Sequence, residues 1–591
     1  MNTLRDNGST RIIRKLLMTI MPVQALAMGL PSINGLINTF IIGNFIGSDA
    51  LATIGFCDPL TLLISVANCI LASGSQILCG QYLGKGDREG IRRAFSTTVT
   101  FCVLIGLVFS LLCGFAPVTV ARLLGASGDC LAPTAEYIRG YCFGIPFMIL
   151  SASLLPFLQL DQAAGMSTVS VSVMVLVNVG FNLLNAFVLK LGMFGVGLAT
   201  SLANIAIVLV MLPYFLFKTK TFKFSASHID MAELRKLSYQ GLPAGNNPIC
   251  FAIRNRVINQ YVFSLGGATA MAAVTVGCSI ANAVGLVIEG GYLGAGRLLS
   301  SVLVGERDGT SLRKLGDIMV RSAGWIFALG YALVFFLARP ISLLMGATAE
   351  NIATYVLIVR LVNGWTLTTI YKSPLLCVYQ AMGEIITVSV LQILGCVVYP
   401  VLALVLFANK LGLAFAVGQF FLGDLLMLVT CAALYAYRAK RMPSSLRDIT
   451  YVPDSLDAPA EDLFLMTIRS LEDTTTVSEA LVSFAKAKGL PNKTAYYSGL
   501  CVEELTNNTV THGFPKNGAT ENTIDVRAIY ENGGMTIMLR DDCVPFDPNE
   551  WLSVYKSDDP MASIGIKMVA KLSRSMTYAG TLGLNVVNIE L

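Results

Sequence analysis

Apolar runs of 20 or more residues recur through roughly the first 440 residues of this 591-residue chain. Each run is long enough to cross a bilayer as a helix. Only 13% of the residues are charged, against about 25% in soluble proteins. The sequence therefore predicts an all-α polytopic membrane region with twelve transmembrane helices. The predicted spans lie near 15–42, 49–78, 93–117, 133–158, 165–189, 191–217, 238–265, 269–300, 315–338, 350–380, 384–408 and 411–437.

A basic loop at 83–93 returns at 304–314, which reveals an internal repeat with an offset of 221 residues. The matching pairs include Gly84 and Gly305, Asp87 and Asp308, and Arg92 and Arg313. Self-similarity at a fixed period indicates two copies of one structural unit. We therefore predict two six-helix lobes, formed by residues 1–220 and 221–437.

Lysine and arginine predict the orientation of these spans. The amino end, the loops at 81–96, 218–236 and 304–314, and the segment after 437 are basic, whereas the alternate loops carry little charge. Because basic loops stay on the cytoplasmic side, both termini are expected in the cytoplasm of a bacterial-type cell, with the chain in the inner (plasma) membrane.

Composition also excludes several classes of protein. A net charge of +5 does not indicate binding to nucleic acid. The fourteen cysteines lie at least ten residues apart, without a CxxC pair, and the chain has two histidines. That pattern does not fit a zinc site or a disulfide framework.

Several short motifs make the repeat region similar to the MATE (multidrug and toxic compound extrusion) transporters. They are Pro22, Leu51-Ala52-Thr53-Ile54-Gly55, Gln81-Tyr82-Leu83-Gly84-Lys85-Gly86-Asp87, Leu124-Gly125-Ala126-Ser127 and Gly241-Leu242-Pro243. The resemblance implies two lobes facing each other across a central cavity. It also implies export of a small organic substrate by alternating access, driven by a proton or sodium gradient. Repeats that rock about a site near the midplane are general among such transporters.

Two asparagines depart from the family pattern. Asn38, on the first span, and Asn182, on the fifth span four residues after Asn178, stand where similar prokaryotic transporters often carry aspartate. An amide cannot carry a proton near neutral pH, although its oxygen can help to hold sodium. These amides either contribute to a cation site or bond neighbouring helices.

The ionisable residues deep in the spans are concentrated in the second lobe. They are Arg254, Arg256, Glu289, Lys372 and Asp424. Such residues are costly in a membrane and are functional candidates. We predict that Glu289 and Asp424 handle the coupling cation and that one basic residue contacts a partner or the substrate. Buried ion pairs that only fix helix packing are the alternative. Because three of these residues are basic, an anionic or zwitterionic solute has the same standing as a cationic drug.

Composition changes sharply after residue 437. Residues 438–455 form a short basic linker, and 456–591 are expected to form a cytoplasmic domain of about 135 residues. Periodicity predicts helices over Val477–Lys488, Thr494–Thr511 and Ile564–Leu572, and β-hairpins over 523–540 and 576–591.

The C-terminal domain resembles the GHKL (HATPase-like) nucleotide-binding fold, a small α/β sandwich, and within it the anti-sigma-factor serine kinases. Three segments carry the likeness: Glu504, Asn508 and His512 at four-residue spacing, Asp541 to Pro548 with Phe546, and Ser563 to Val569. The resemblance implies that Asn508 holds magnesium, Glu504 is the catalytic residue, Asp541 bonds the adenine of ATP and Gly565 admits phosphate. His512 and Phe546 complete the implied cofactor-binding set. Cys543 and Ala562-Ser563 stand where the family has glycine.

Two functions remain open from the sequence. The first is a secondary active antiporter whose cytoplasmic domain binds ATP and regulates transport. The second is a membrane-anchored signalling protein, in which the domain acts as a serine kinase or sequesters a cytoplasmic protein partner. An ATP-powered pump is disfavoured because the chain contains no GxxxxGK[ST] motif.

The paired basic loops at 83–93 and 304–314 are predicted to lie on the same side of the membrane as the C-terminal domain. We predict that the domain docks on them, with Arg92, Arg93, Arg313 and Lys314 as contact candidates. Anchoring by positive charge alone is the alternative.

Overall fold

A computed structural model describes most of the chain, and every predicted span overlaps a helix in it. The described residues are 8–42, 45, 48–161, 163–219, 221–345, 347–364, 369–446, 448–517, 522–554 and 564–591. The first lobe contains α1 (Gly8–Ile41), α2 (Ser48–Lys85), α3 (Arg88–Phe115), α4 (Pro117–Leu123), α5 (Leu131–Tyr141), α6 (Ile145–Leu160), α7 (Ala164–Leu184) and α8 (Gly192–Pro213). The second lobe contains α9 (Met231–Gly305), α10 (Gly309–Leu344), α11 (Ile352–Asn363), α12 (Thr369–Ala381), α13 (Ile385–Ile393) and α14 (Tyr399–Ala439).

Nine helical segments among the described residues are long and apolar enough to cross a membrane, by length and composition. The predicted spans at 238–265 and 269–300 are helical but fall outside that set, and so does 350–380, of which the structure describes the helices α11 and α12. The first two meet within α9 at Gly267, whose φ of +62° interrupts the helix. Gly412 interrupts α14 in the same way, with φ +78°. Glycine adopts positive φ without the steric cost that a Cβ would bring.

The repeated aspartates cap equivalent helices. The Asp87 carboxylate accepts a hydrogen bond from the Gly90 amide at 2.8 Å, at the start of α3. Asp308 accepts one from the Ser311 amide at 2.9 Å, at the start of α10. Such caps satisfy an amide that has no partner inside the helix and contribute about 1 kcal/mol each. The repeat therefore preserves a helix start in each lobe.

The two lobes touch closely at the end that carries the loops 84–88 and 305–309, which we call the loop side. A Cβ added to Gly84 would lie 2.2 Å from the Val302 carbonyl oxygen, and one added to Gly305 would lie 2.2 Å from the Gln81 carbonyl oxygen. The helices α2 and α9 thus pack backbone against backbone at positions related by the repeat. A larger residue at either glycine would push the lobes apart.

Polar contacts also join the lobes on or near the loop side. The Gln81 side-chain amide donates to the Ala381 carbonyl oxygen at 2.7 Å. The Tyr82 hydroxyl donates to the Glu233 carboxylate at 2.6 Å. The lobes are therefore closed against each other at this end of the membrane region.

The C-terminal domain is an antiparallel sheet with helices on one face. Its strands are β1 (Leu463–Ile468), β2 (Ile524–Glu531), β3 (Gly534–Asp541), β4 (Ser575–Thr581) and β5 (Leu584–Glu590), in the order β1-β2-β3-β5-β4. Its helices are α15 (Leu471–Ala487), α16 (Asn492–Asn508), α17 (Phe514–Asn517), α18 (Pro548–Val554) and α19 (Ile564–Leu572). The predicted α/β sandwich and both hairpins are confirmed, whereas β1 was not predicted.

The two faces of this sheet have different partners. Val526, Ile537 and Leu539 point to one face and form the domain core with residues of α15 and α16. Side chains alternate along a strand, so Arg527, Met538 and Arg540 point to the other face. These three are buried as well, with Met538 in the large apolar cluster of the membrane region. The second face is therefore covered too.

Candidate functional site

Three asparagines of the first lobe converge, as the sequence suggested. The Asn182 side-chain amide donates to the Asn38 oxygen at 3.1 Å and to the Asn178 oxygen at 3.3 Å, joining α7 to α1. Asn178 and Asn182 are almost fully buried. The side-chain oxygens of Asn182 and Asn34 are buried without a hydrogen-bond partner among the described residues. The cluster therefore offers oxygen ligands but no carboxylate.

An ion pair lies in the second lobe, where the Lys372 ammonium contacts the Asp424 carboxylate. The two side chains are 19% and 6% exposed, respectively. Lys372 lies on α12 and Asp424 on α14, and the Tyr371 hydroxyl donates to the Asp424 carbonyl oxygen. The pair thus ties the tenth predicted span to the twelfth. Removal of either charge would leave the other poorly solvated.

The structure places the remaining candidates of the second lobe on α9. Arg254 is half-buried, with its guanidinium 4.5 Å from the centre of the Phe251 ring, whereas Arg256 is exposed. This difference agrees with their spacing, since residues two apart on a helix point about 200° apart. Glu289 lies in α9, but its side chain is outside the part that the structure describes.

In the C-terminal domain, Asp541 ends β3 inside a buried hydrogen-bond network. Its Oδ1 accepts from the Asn585 side-chain amide at 2.8 Å and from the Cys543 amide at 2.9 Å. Asn585, on β5, also accepts from the Tyr578 hydroxyl at 2.8 Å. Burial raises the pKa of Asp541 above its usual value. The network holds this carboxyl group in one orientation.

Glu504 and Gly565 meet where α16 passes the start of α19. A Cβ added to Gly565 would lie 2.1 Å from the Glu504 Oε2 atom, so only glycine leaves room for the carboxylate. Asn508 is the last residue of α16, one turn after Glu504. A wider π turn at Thr509–Gly513 follows and carries His512, which is exposed, out of the α-helical spacing.

Phe546 is 42% exposed, and its ring centre lies 5.7 Å from that of Trp551. It follows Cys543, which is buried and packs against Gly513. Residues 555–563, which include the departures Ala562 and Ser563, lie outside the described structure. The structure thus brings Glu504 against Gly565 and Phe546 against Trp551, while Asp541 ends the neighbouring strand β3.

Comparison with known families identifies a matching segment in each part of the chain. Residues 24–184 match the MatE family, and residues 469–590 match the histidine kinase-like ATPase domain family. The chain carries a MatE region and a histidine kinase-like ATPase domain. Both resemblances inferred from sequence motifs are thereby confirmed.

Two named relatives match the MatE part. The probable multidrug resistance protein YoeA of Bacillus subtilis is 27% identical over 248 residues, covering 40% of this chain and 53% of YoeA. The chain thus spans about half the length of that relative. The multidrug export protein MepA of Staphylococcus saprophyticus is 23% identical over 378 residues, covering 63% of this chain and 82% of MepA.

Solved structures share the fold of the MatE part. An outward-facing multidrug resistance MATE family transporter has a TM-score of 0.67 at 17% identity, covering 71% of this chain and 94% of that one. A transporter of the MOP superfamily from Pyrococcus furiosus has a TM-score of 0.66 at 16% identity, covering 76% and 99%. At this identity the likeness establishes the fold alone.

The ATPase-like domain docks on the loop side of the membrane region through its second sheet face. Arg540, with a side chain only 6% exposed, contacts the Glu306 carboxylate and lies 3.3 Å from that of Asp308. Arg527 donates to the carbonyl oxygens of Glu306 at 2.7 Å and Arg307 at 2.6 Å. Docking on the loop at 304–314 is thus confirmed.

The predicted contact candidates differ in their roles. Arg313 binds Asp454 at 2.8 Å and Asp457 at 3.0 Å, in the segment that leads into the domain. Arg93 instead pairs with Asp87 and Glu89 of its own loop. The loop at 83–93 meets the domain through Arg88, which donates to the Tyr578 carbonyl oxygen at 3.3 Å.

Asp525 gives this interface a dependence on pH. It lines a cavity of about 40 Å³ together with Lys314, Asp308 and Arg540, and it accepts a hydrogen bond from Thr467. Burial raises its pKa from 3.8 to about 6. An acid whose pKa is higher when folded stabilises the fold below its unfolded pKa, and that contribution is lost as the pH rises through the folded value.

Asp525→Asn should therefore stabilise the docked domain by about 1–3 kcal/mol near neutral pH. The gain should grow between pH 4 and 6 and stay constant above about pH 7. Thermal unfolding of the full chain, followed by Trp551 fluorescence at several pH values, measures it. If Asp525→Asn stabilises the domain equally at pH 4 and at pH 7.5, the raised pKa of Asp525 would be contradicted.

The docking residues Arg527 and Arg540 and the network residue Asn585 were not singled out from the sequence. The alternation of the two arginines with apolar residues gives no separate signal in the sequence, because a strand with one solvated face shows the same pattern. Asn585 carries no motif. Its role depends on the pairing of β3 with β5, which is long-range.

Proposed function

We propose that this chain is a secondary active exporter of a small organic solute, driven by a proton or sodium gradient. Its second lobe would carry the coupling carboxylate, and its ATPase-like domain would regulate transport on the cytoplasmic side. The lobes would comprise residues 1–220 and 221–437, the linker 438–455 and the domain 456–591. The observation that carries the transport proposal is the buried Lys372–Asp424 pair within a MATE fold.

Proton uptake by Asp424 would neutralise the partner of Lys372. The lysine would then lose the charge of this partner in a poorly solvated position, which favours a rearrangement of α12 against α14. A cationic or zwitterionic solute could replace Lys372 as the partner of the charged Asp424 carboxylate, and proton uptake by this carboxylate would then release the solute. Proton uptake and solute release would thereby be exchanged at one site, as an antiporter requires. Arg254, Arg256 and Glu289 remain candidates for further contacts.

The asparagines of the first lobe suit sodium better than a proton. Asn38, Asn178 and Asn182 have no group that titrates near neutral pH, and the free oxygens of Asn182 and Asn34 are ligands of the type that hard cations prefer. If sodium is the coupling ion, it would bind here. If the coupling ion is a proton, only the second lobe would bind it.

The ATPase-like domain presents residues that fit a magnesium nucleotide. Asp541 is held in place for an adenine amino group, and the start of α19 at Gly565 offers backbone amides to phosphate. Among the described residues no cluster of three His, Cys, Asp or Glu could hold a metal. Magnesium would therefore depend on Asn508 and on the phosphates, as is common for this ion. Bound ATP would add negative charge to the domain, and the docked domain would carry the effect of that charge to the membrane region. Glu504 would face the phosphates.

We place the domain and both termini in the cytoplasm, because ATP is available there and because the loops it covers are basic. Regulation is favoured over sequestration of a separate protein because the second sheet face is already occupied by the membrane region. A serine kinase would need a partner to approach the opposite, helical side.

Magnesium ATP should raise the unfolding temperature of the domain in the full chain. Binding at 100 times the Kd contributes about 2.7 kcal/mol. Asp541→Asn should abolish the shift, because two donors converge on Oδ1 and would turn the new amide NH₂ toward the adenine amino group. The exposed Glu472→Gln is the matched control. A wild-type chain that shows no shift at millimolar ATP, or an undiminished shift in Asp541→Asn, would contradict nucleotide binding.

A further inference from the structure

The ATPase-like domain contacts both lobes, and the two sets of contacts differ in kind. Its contact with the second lobe is buried: Arg540 lies between Glu306 and Asp308, and Arg527 binds the Glu306 and Arg307 carbonyls. Each of these groups is shielded from water, so the loss of its partner would leave it buried without a compensating charge or hydrogen bond. We call this contact the anchor.

Its polar contact with the first lobe is more exposed. Arg88, which is exposed, donates to the carbonyl oxygen of the half-buried Tyr578 in β4 at 3.3 Å. Lys15 of α1, whose side chain is 47% exposed, pairs with Asp542, whose side chain is 7% exposed. Because the lysine can move into water, this pair breaks at a lower cost than the Arg540 pair, in which both partners are buried. We call this contact the latch.

The latch and anchor span the line along which the lobes meet. Gly84 and Gly305 are in backbone contact there, and the domain contacts both Arg88, four residues after Gly84, and Glu306, the residue after Gly305. Opening of the cytoplasmic side would move Arg88 and Lys15 away from Glu306 and Arg307. A rigid domain cannot keep both contacts through that movement. Because the anchor is buried, the latch is the contact that would yield.

We infer that the ATPase-like domain is a releasable clamp, which travels with the second lobe and holds the cytoplasmic side closed until the latch opens. The clamp rests on the proposed transport function only in assuming that the lobes rock. The latch also lies beside the nucleotide-type site, because Asp542 follows Asp541 and the β4–β5 hairpin carries Asn585. Nucleotide binding at that site would therefore act close to the latch residues.

Labelling of a buried cysteine between the lobes tests the clamp. Ser301 is fully buried against Gly80 on the cytoplasmic side, so a Ser301→Cys chain should react with a membrane-impermeant maleimide only when this side opens. Labelling from the cytoplasmic side is compared with the parent chain, whose described native cysteines are buried or half-buried. Lys15→Glu should repel Asp542 and increase the labelling rate at least tenfold. The exposed Lys223→Glu should leave it within twofold.

Exchange of the two charges makes the test specific. Lys15→Glu combined with Asp542→Lys should restore slow labelling, which general damage to α1 would not allow. Unchanged labelling in Lys15→Glu, or fast labelling that persists after the exchange, would overturn the clamp. The assay needs no substrate, gradient or nucleotide, so a chain that proves unable to transport would still report on the clamp. Failure of the export proposal is thus distinguishable from failure of this one.

Discussion

Arg540→Ala is expected to release the ATPase-like domain from the membrane region while leaving the domain itself folded. The substitution leaves Glu306 and Asp308 buried at the interface without their guanidinium partner. Burial alone would lower the pKa of Arg540, but these two carboxylates raise it, which reflects how strongly they favour its charge. Breaking a buried pair from one side costs about 3–5 kcal/mol. The docking equilibrium should therefore shift by about two to four orders of magnitude.

Limited trypsin digestion measures this release. The linker carries Lys440 and Arg441, and cleavage there should accelerate at least tenfold in Arg540→Ala when the domain no longer restrains it. Arg469→Ala removes an exposed arginine from the same domain and should have no effect. The triple change Arg540→Met, Glu306→Gln and Asp308→Asn should recover part of the docking, because it removes the uncompensated charges. Cleavage of Arg540→Ala at the wild-type rate would contradict a docked domain held by this cluster.

Asp424→Asn is expected to reduce gradient-driven export at least tenfold, with normal expression and folding. The amide keeps the shape of the side chain but cannot take up a proton, and it removes the carboxylate charge that contacts the Lys372 ammonium. Export of a fluorescent organic cation and of a fluorescent organic anion from proteoliposomes, each under a proton and under a sodium gradient, measures the effect. The two probes also show whether the transported solute is a cation or an anion, which the basic residues of the second lobe leave open.

The double variant Lys372→Met with Asp424→Asn separates coupling from packing. If the pair only joins α12 to α14, removal of both charges should restore export, because no lone charge remains. If Asp424 carries the coupling ion, export should stay low. Asp317→Asn is the matched control, since Asp317 pairs with Arg321 at 2.7 Å in a more exposed position of the same lobe. Full export by the double variant would contradict a coupling role for Asp424.

Long-range periodicity made much of the fold predictable. The repeat of Asp87 at Asp308 follows from two equivalent helix caps, and glycines at the predicted breaks adopt positive φ. The predicted helix at Ile564–Leu572 was confirmed. Strand β1 was missed because both of its faces are covered, so its residues read as a continuous apolar run rather than an alternating one.

The sites were less predictable than the fold because they depend on tertiary placement. The proximity of Asn38, Asn178 and Asn182 could be anticipated from family positions, whereas the partner of Asp424 could not, since Lys372 is 52 residues away on another helix. The docking face required knowledge of which strands pair and which face the helices cover. Only that knowledge separates Arg527 and Arg540 from ordinary surface arginines.

One measurement tests most directly the claim that transport and the nucleotide-type domain are coupled. Gradient-driven export by the wild-type chain and by Asp541→Asn is recorded in proteoliposomes with and without magnesium ATP on the cytoplasmic side. We predict that ATP changes the export rate of the wild type severalfold, leaves Asp541→Asn unchanged, and drives no export without the gradient. Export by the wild type that is insensitive to ATP, or export powered by ATP alone, would contradict this account.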